Sequence, residues 1–202
     1  MYARRVLAPK ALSACLVLLV SCEGAVAEDS LDSMSMSMSA SAGPTEDSGS
    51  SGSSEFVPIV DNRLWEALDD VADPLADHRP ATVDCGPAGW YLEGEKLEID
   101  TNNCNYLGLR QPSLVALEVG QALKLGLYHF DLVAPTPASA HLAVLIDGQL
   151  VWEDNVAIPG EAQVYSEEFT SPVSAPAGAE VVLHLHNHGQ NTWALQQLLA
   201  EE

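Results

Sequence analysis

The sequence predicts an all-β, antiparallel sandwich for residues 56–202. Apolar residues in this region recur with a period of two, in short stretches separated by Pro, Gly and Asn turns. Asp147-Gly148 stands between two such stretches and is typical of a type I′ hairpin. The region has about 147 positions, enough for one domain with a single sizeable core.

Nine short strands are expected in this domain, and their number and spacing favour a sandwich. They cover residues 89–92, 96–99, 114–119, 123–132, 141–147, 149–152, 163–169, 180–187 and 192–199. One short helix is expected before them, over residues 61–71, with Asp61 as its N-cap and Pro74 beyond its end. The apolar residues at helical spacing are Leu64, Trp65, Leu68 and Val71.

The chain is strongly acidic, with 29 Asp and Glu, 8 Lys and Arg, and a formal net charge of −21. Three of the basic residues stand within the first ten positions, whereas every acidic residue follows Cys22. Such a charge repels a phosphate backbone, and the sequence contains no basic stripe. Nucleic acid is therefore excluded as a partner.

The first 22 residues have the pattern of an export signal. Basic residues precede an uncharged stretch over residues 11–20, which is too short to cross a bilayer as a helix. The stretch closes with Leu19-Val20-Ser21-Cys22, which resembles the lipobox of bacterial lipoproteins. The resemblance implies a signal peptide over residues 1–21, acylation of Cys22, and anchoring in the lipid bilayer of the cell membrane or outer membrane. A secretory signal cleaved elsewhere and an uncleaved anchor are the alternatives.

Cysteine usage then predicts one disulfide. Of four cysteines, Cys15 would leave with the signal peptide and Cys22 would carry lipid. Cys85 and Cys104 remain, and an even remainder in an exported chain is typical of a structural disulfide worth roughly 3 kcal/mol.

Residues 22–55 are expected to form a disordered linker. They are rich in Ser, Gly, Ala, Met and acidic residues, and positions 33–39 alternate Ser with Met. Such a composition cannot bury a core, and a flexible coil of this length spans roughly 30 Å. The linker would hold the folded domain away from the lipid anchor.

The end of the chain is similar to a known family of binding domains. Residues 178–187, followed by Gly189, Asn191, Trp193 and Leu195, resemble the closing hairpin of jelly-roll carbohydrate-binding modules. Gln196 and Gln197 stand where that family usually has an acidic residue. The resemblance implies a jelly-roll-like sandwich and a carbohydrate as its ligand.

Aromatic residues supply a candidate binding surface. On the predicted strand over residues 123–132, Leu125 and Leu127 share one face, while Tyr128 and Phe130 share the other. If the leucines face the core, the two rings form an exposed platform on which a sugar can stack. In the alternative, both rings belong to the core. The amides expected to bind the sugar hydroxyls are those of Asn187, Gln190 and Asn191.

A histidine cluster supplies a second candidate. His184, His186 and His188 alternate along one strand and therefore share a face. Imidazoles at this spacing can share Zn or Cu, and His129 or His141 can complete the ligand set from another strand. The alternative is that these histidines line a solvated face or bind loop carbonyls.

Other chemistry has weaker support. The loop over residues 100–103 gathers oxygen ligands suited to Ca, but without EF-hand spacing. No Gly-x-Ser-x-Gly, no His-Glu-x-x-His and no phosphate-binding glycine-rich loop is present, so an enzyme is not expected.

The sequence thus predicts an exported lipoprotein that presents a non-catalytic ligand-binding sandwich. A glycan or another envelope component is the expected ligand. A Zn- or Cu-binding domain and a purely structural envelope protein are the alternatives.

Overall fold

A computed structural model describes residues 54–202. The predicted signal peptide, the predicted acylation site Cys22 and nearly all of the predicted linker lie outside the described residues. The strands are β1 Phe56–Pro58, β2 Glu66–Ala67, β3 Trp90–Glu93, β4 Lys96–Asp100, β5 Tyr106–Pro112, β6 Ala122–His129, β7 Ala138–Ile146, β8 Gln149–Ile158, β9 Gln163–Thr170, β10 Glu180–Asn187 and β11 Thr192–Glu201. Two single-turn 3₁₀ helices cover Asp70–Ala72 and Ala76–His78.

The strands form two antiparallel sheets, so the predicted all-β sandwich is confirmed. The six-stranded sheet has the order β3-β4-β11-β6-β9, with β1 also paired to β11. The five-stranded sheet has the order β2-β5-β10-β7-β8. The chain changes sheet at almost every connection from β4 to β11, which gives the strand order of a jelly roll.

The core lies between the sheets and is built from alternate residues of each strand. Leu123, Leu125 and Leu127 of β6 point inward, and so do Leu183 and Leu185 of β10; all five are at most 4% exposed. Residues at the intervening positions point outward. The period of two in the sequence therefore correctly predicts which residues of a strand face the core and which face outward.

Most predicted strands are present, with shifted ends, but residues 114–119 do not form one. Leu117 makes an isolated bridge to Ala175, whereas Leu114 and Val119 are exposed. Strand β5 was not predicted because Gly108 and Arg110 dilute its apolar pattern. Strand β5 forms nevertheless, because the whole length of β5 pairs with β10.

The predicted helix over residues 61–71 is wrong in position, because the short helical turns lie further along the chain. Trp65 is buried, while Leu64 is 45% and Val71 is 99% exposed, so these apolar side chains do not share one face. Asp61 caps a turn rather than a helix: its carboxylate accepts a hydrogen bond from the backbone N–H of Arg63, but residues 62–64 form a turn that no helix continues. The segment instead adds the short strand β2 to the edge of β5.

Two other local predictions are confirmed. Asp147 and Gly148 both have positive φ, 52° and 73°, as a type I′ turn between β7 and β8 requires. Cys85 and Cys104 form a disulfide that joins the segment before β3 to the loop after β4. Within residues 54–202, no helix is long and apolar enough to cross a membrane.

Candidate functional site

Aromatic side chains lie on the outer face of the six-stranded sheet. Because Leu125 and Leu127 point into the core, Tyr128 and Phe130 point outward. The Phe130 ring is 50% exposed and packs edge-on against Tyr128, with ring centroids 5.7 Å apart. The alternative in which both rings are core residues is therefore wrong.

A third ring stands on the same face. Strand pairing aligns Tyr91, Glu98, Ala194 and Tyr128 in one row across β3, β4, β11 and β6. Tyr91 is 44% exposed, whereas Ala194 is fully buried. Glu98, between them, is also buried at 5% exposure, so the two tyrosines flank a covered stretch of the sheet.

Charged groups connect these rings. The Lys96 ammonium donates to the Tyr128 hydroxyl at 2.7 Å and to the Glu98 carboxylate at 3.3 Å. The Tyr91 hydroxyl approaches the other Glu98 oxygen at 3.5 Å. Burial raises the pKa of the Glu98 carboxyl. Hydrogen-bond donors and acceptors are thus fixed beside the exposed rings.

The three amide residues predicted to contact a ligand have different surroundings. Asn187 is buried, donates to the carbonyl of Gly189 at 2.6 Å and accepts from the indole of Trp193 at 3.4 Å. Its amide closes the turn between β10 and β11, so its assignment as a ligand contact is wrong. Asn191 donates to the carbonyl of Asp131 at 2.5 Å. The exposed side chain of Gln190 lines a cleft at the end of the sandwich rather than the aromatic face.

Histidines lie on the outer face of the other sheet. On β10, His184 and His186 alternate with inward-pointing leucines, as predicted. His141 comes from the neighbouring strand β7, where its Cα pairs with that of His186. His184 is 1% exposed and His141 is 7% exposed.

A segment over residues 73–79, which we call the strap, brings a further histidine to this face. His78 stacks on His141, with centroids 4.1 Å apart, and its ring lies 5.7 Å from that of His184. The Tyr106 hydroxyl holds the strap by donating to the Asp73 carboxylate and by contacting the carbonyl of Leu75 at 3.1 Å. His78 was not singled out from the sequence, since it lies in a Pro-flanked segment without a helix or strand period. Its position in that segment is the one signal that could have identified it.

His78, His141 and His184 each offer one ring nitrogen to this group, and the three nitrogens lie within 4.8 Å of one another. Both ring nitrogens of His184 and Nδ1 of His141 are buried without a hydrogen-bond partner. Burial, reinforced by the neighbouring His141, lowers the pKa of His184 to about 3. At neutral pH His184 is therefore the uncharged imidazole that metals bind.

Of the predicted ligand set of His184, His186, His188 and His129, the structure brings only His184 into this group. His129 lies in the core between the sheets, 4.4 Å from the ring of Trp193, and its Nδ1 contacts the carbonyl of Phe130. It cannot reach the outer face. His186 and His188 have their rings 4.3 Å apart, but neither belongs to the converging trio.

The predicted calcium loop is held together by its own side chains. The Asp100 carboxylate accepts hydrogen bonds from the backbone and side chain of Asn102 and from the side chain of Asn103. Burial raises the pKa of Asp100, but these hydrogen bonds outweigh it and the net shift is downward. Both carboxylate oxygens thus stabilise a turn, and these hydrogen bonds account for the conformation of the loop without a bound ion.

Comparison with known proteins finds no matching family model and no matching curated protein. Solved structures with similar folds include a CBM4 module, with 18% identity and a TM-score of 0.37 over 59% of this chain and 91% of that one. A CBM28 module described as specific for non-crystalline cellulose has 8% identity and a TM-score of 0.41 over 68% and 87%. TmCBM61, solved with β-1,4-galactotriose, has 11% identity and a TM-score of 0.32 over 75% and 90%.

Proposed function

We propose that this domain is a non-catalytic glycan-binding module whose ligand lies on the outer face of the six-stranded sheet. The observation that carries the proposal is the half-exposed Phe130 ring, packed on Tyr128, with Tyr91 exposed on the same face of the sheet. A sugar presents an apolar C–H face that can stack on such a ring, which removes apolar surface from water on both sides.

Polar groups beside the rings suit the hydroxyls of a sugar. Lys96 is already bonded to the Tyr128 hydroxyl and to Glu98, so these side chains are ordered before a ligand arrives. Prior ordering lowers the entropic cost of binding. The Lys96 ammonium and the Tyr91 hydroxyl retain hydrogen-bonding capacity toward solvent.

The charge of the chain narrows the class of glycan. With 29 acidic residues against 8 basic ones, the protein repels uronic-acid and sulfated polysaccharides. The proposed ligand is therefore a neutral oligosaccharide.

We also propose that Cys22 anchors the mature chain in a bilayer and that residues 23–55 present the domain away from it. The lipobox-like Leu19-Val20-Ser21-Cys22 supports this part of the proposal. Metabolic labelling with a fatty-acid analogue should mark the wild-type chain and leave the Cys22→Ser variant unlabelled. Export of an unlabelled wild-type chain would overturn the anchor and leave the glycan site untouched.

The glycan site is tested with the exported Cys22→Ser chain and a panel of neutral oligosaccharides, followed by calorimetry on the best binder. Phe130→Ala should weaken binding by about tenfold or more, equivalent to about 1.4 kcal/mol. Val119→Ala, which trims an exposed apolar residue in the loop before β6, is the matched control and should have no effect. Failure of the Cys22→Ser chain to bind any member of the panel, or binding that the added Phe130→Ala substitution leaves unchanged, would overturn the proposal.

A further inference from the structure

We propose that His78, His141 and His184 form a transition-metal site, best suited to Zn²⁺, on the outer face of the five-stranded sheet. Three elements supply one imidazole each: the strap, β7 and β10. This site is separate from the proposed glycan face and does not depend on it.

The first argument is the pattern of unsatisfied nitrogens. His184 is 1% exposed, yet neither of its ring nitrogens has a hydrogen-bond partner, and Nδ1 of His141 has none either. Leaving a buried polar group unpaired costs free energy, so such groups call for a specific explanation. An ion bound between the rings would satisfy the nitrogens that face it.

The second argument is geometric. The three candidate ligand atoms lie within 4.8 Å of one another. Zn–N bonds of about 2.0–2.1 Å in tetrahedral geometry require nitrogens that are somewhat closer than this. His141 and His184 are fixed by the pairing of β7 with β10, whereas His78 is exposed on a single-turn helix. His78 stacks nearly parallel on His141, with an interplanar angle of 12°, so its ring must rotate out of this stack for its nitrogen to join the other two on one ion.

The third argument concerns the groups around the ligands. Nε2 of His141 faces the Glu153 carboxylate at 3.4 Å, which leaves Nδ1 as the atom that binds the ion. A carboxylate behind a ligating histidine fixes the ring and makes it a stronger ligand. The carboxylate of Asp73 on the strap adds a second negative charge near the site, where it pairs with Arg79 at 3.5 Å. Three imidazoles beside carboxylates favour Zn²⁺ or Cu²⁺ over Ca²⁺ or Mg²⁺.

The test uses the exported chain without a His tag, stripped with a chelator and then titrated with Zn²⁺ and with Cu²⁺ by calorimetry. We expect one equivalent of metal to bind and to raise the melting temperature, because a ligand that binds only the folded state stabilises it. Co²⁺ substitution should give the intense visible bands of tetrahedral coordination. An octahedral spectrum, or several weak equivalents, would indicate surface binding and would overturn the proposal.

Variants assign the ligands. His78→Ala is the key substitution, since His78 is exposed and its loss should not prevent folding; it should lower Zn²⁺ affinity at least tenfold. His188→Ala removes another exposed histidine that lies outside the trio and should leave the affinity unchanged. Glu153→Gln should weaken binding by about tenfold through His141. Absence of metal binding to the stripped wild-type chain, or equal affinity in His78→Ala and wild type, would contradict the site.

Discussion

Asn62 is a buried residue that joins the N-terminal segment to the six-stranded sheet. Its Nδ2 donates to the carbonyls of Glu95 at 2.9 Å and Leu195 at 3.2 Å, and its Oδ1 accepts from the indole of Trp65 at 3.0 Å. These bonds place Trp65 in the core and hold the turn over residues 62–64 against the six-stranded sheet. They are the physical reason that the apolar spacing over residues 61–71 does not produce a helix.

Asn62→Asp should therefore be strongly destabilising. The substitution keeps the shape but replaces a donor with a charged acceptor that faces the carbonyls of Glu95, Leu195 and Gln196, and we expect a loss of about 3 kcal/mol in the free energy of unfolding. Urea denaturation measures it. Gln149→Glu, an amide-to-acid change at an exposed position, is the control and should be nearly neutral. An Asn62→Asp variant as stable as the control would show that these hydrogen bonds do not matter.

Gly148 is the second residue with a defined conformational role. Its φ is +73°, and a Cβ there would meet nothing within 4 Å, so the cost of Gly148→Ala is conformational alone. We expect a loss of about 1 kcal/mol. Gly86→Ala also adds a methyl in open space, but without a positive φ, and should cost less. Equal melting temperatures for the two variants would contradict this account.

Whether a residue lies inside or outside the core was predictable where the alternation of side chains along one strand decides it. Tyr128 and Phe130 are placed outside the core by the same alternation that buries Leu125 and Leu127. That alternation also places His129 inside, so an exposed aromatic pair and a metal-binding His129 were mutually exclusive. The role of Asn187 was not predictable, because it depends on a turn formed with Trp193 after both strands have paired.

At the scale of elements, the strap is the part that organises the histidine cluster. Leu75 packs on the cluster formed by Ala143, Leu145 and Val182, and the Tyr106 hydroxyl holds the strap at Asp73. Nothing in the local sequence indicates that residues 73–79 cross this face, since the segment has no strand or helix period. His78 was therefore invisible to sequence reasoning, whereas the shared face of His184 and His186 was not.

Tyr106→Phe tests the strap as an element. Removing the hydroxyl breaks the contacts of β5 with Asp73 and Leu75, so amide hydrogen exchange should become faster over residues 73–79 and remain unchanged in β7 and β10. Tyr91→Phe, which removes a hydroxyl from the other sheet face, is the control and should leave exchange in the strap unchanged. Unchanged exchange in the Tyr106→Phe strap would show that the hydroxyl does not hold it.

At the scale of the whole molecule, the disulfide limits the freedom of the unfolded chain. Cys85 and Cys104 are separated by 19 positions, and closing a loop of this length contributes about 3 kcal/mol. Replacing both cysteines by alanine should lower the free energy of unfolding by that amount without changing the native fold. Chemical denaturation of the double variant measures the loss, and a stability equal to that of wild type would contradict the estimate.

The sandwich also separates its two candidate sites. Tyr128 and Phe130 face outward from the six-stranded sheet, and His141 and His184 face outward from the five-stranded sheet. The packed core lies between them. The fold class and this two-faced arrangement follow from the period of two in the sequence, but which rings and imidazoles meet on each face depends on strand order, and strand order is set by long-range pairing.

The most direct test of the central claim is an amide chemical-shift titration of the exported Cys22→Ser chain with its best-binding neutral oligosaccharide. The account predicts shift changes that cluster around Tyr91, Lys96, Tyr128 and Phe130, with the amides of β7 and β10 unaffected. Changes centred on His184 or on the cleft at Gln190, or no saturable change at all, would contradict glycan binding on the six-stranded sheet.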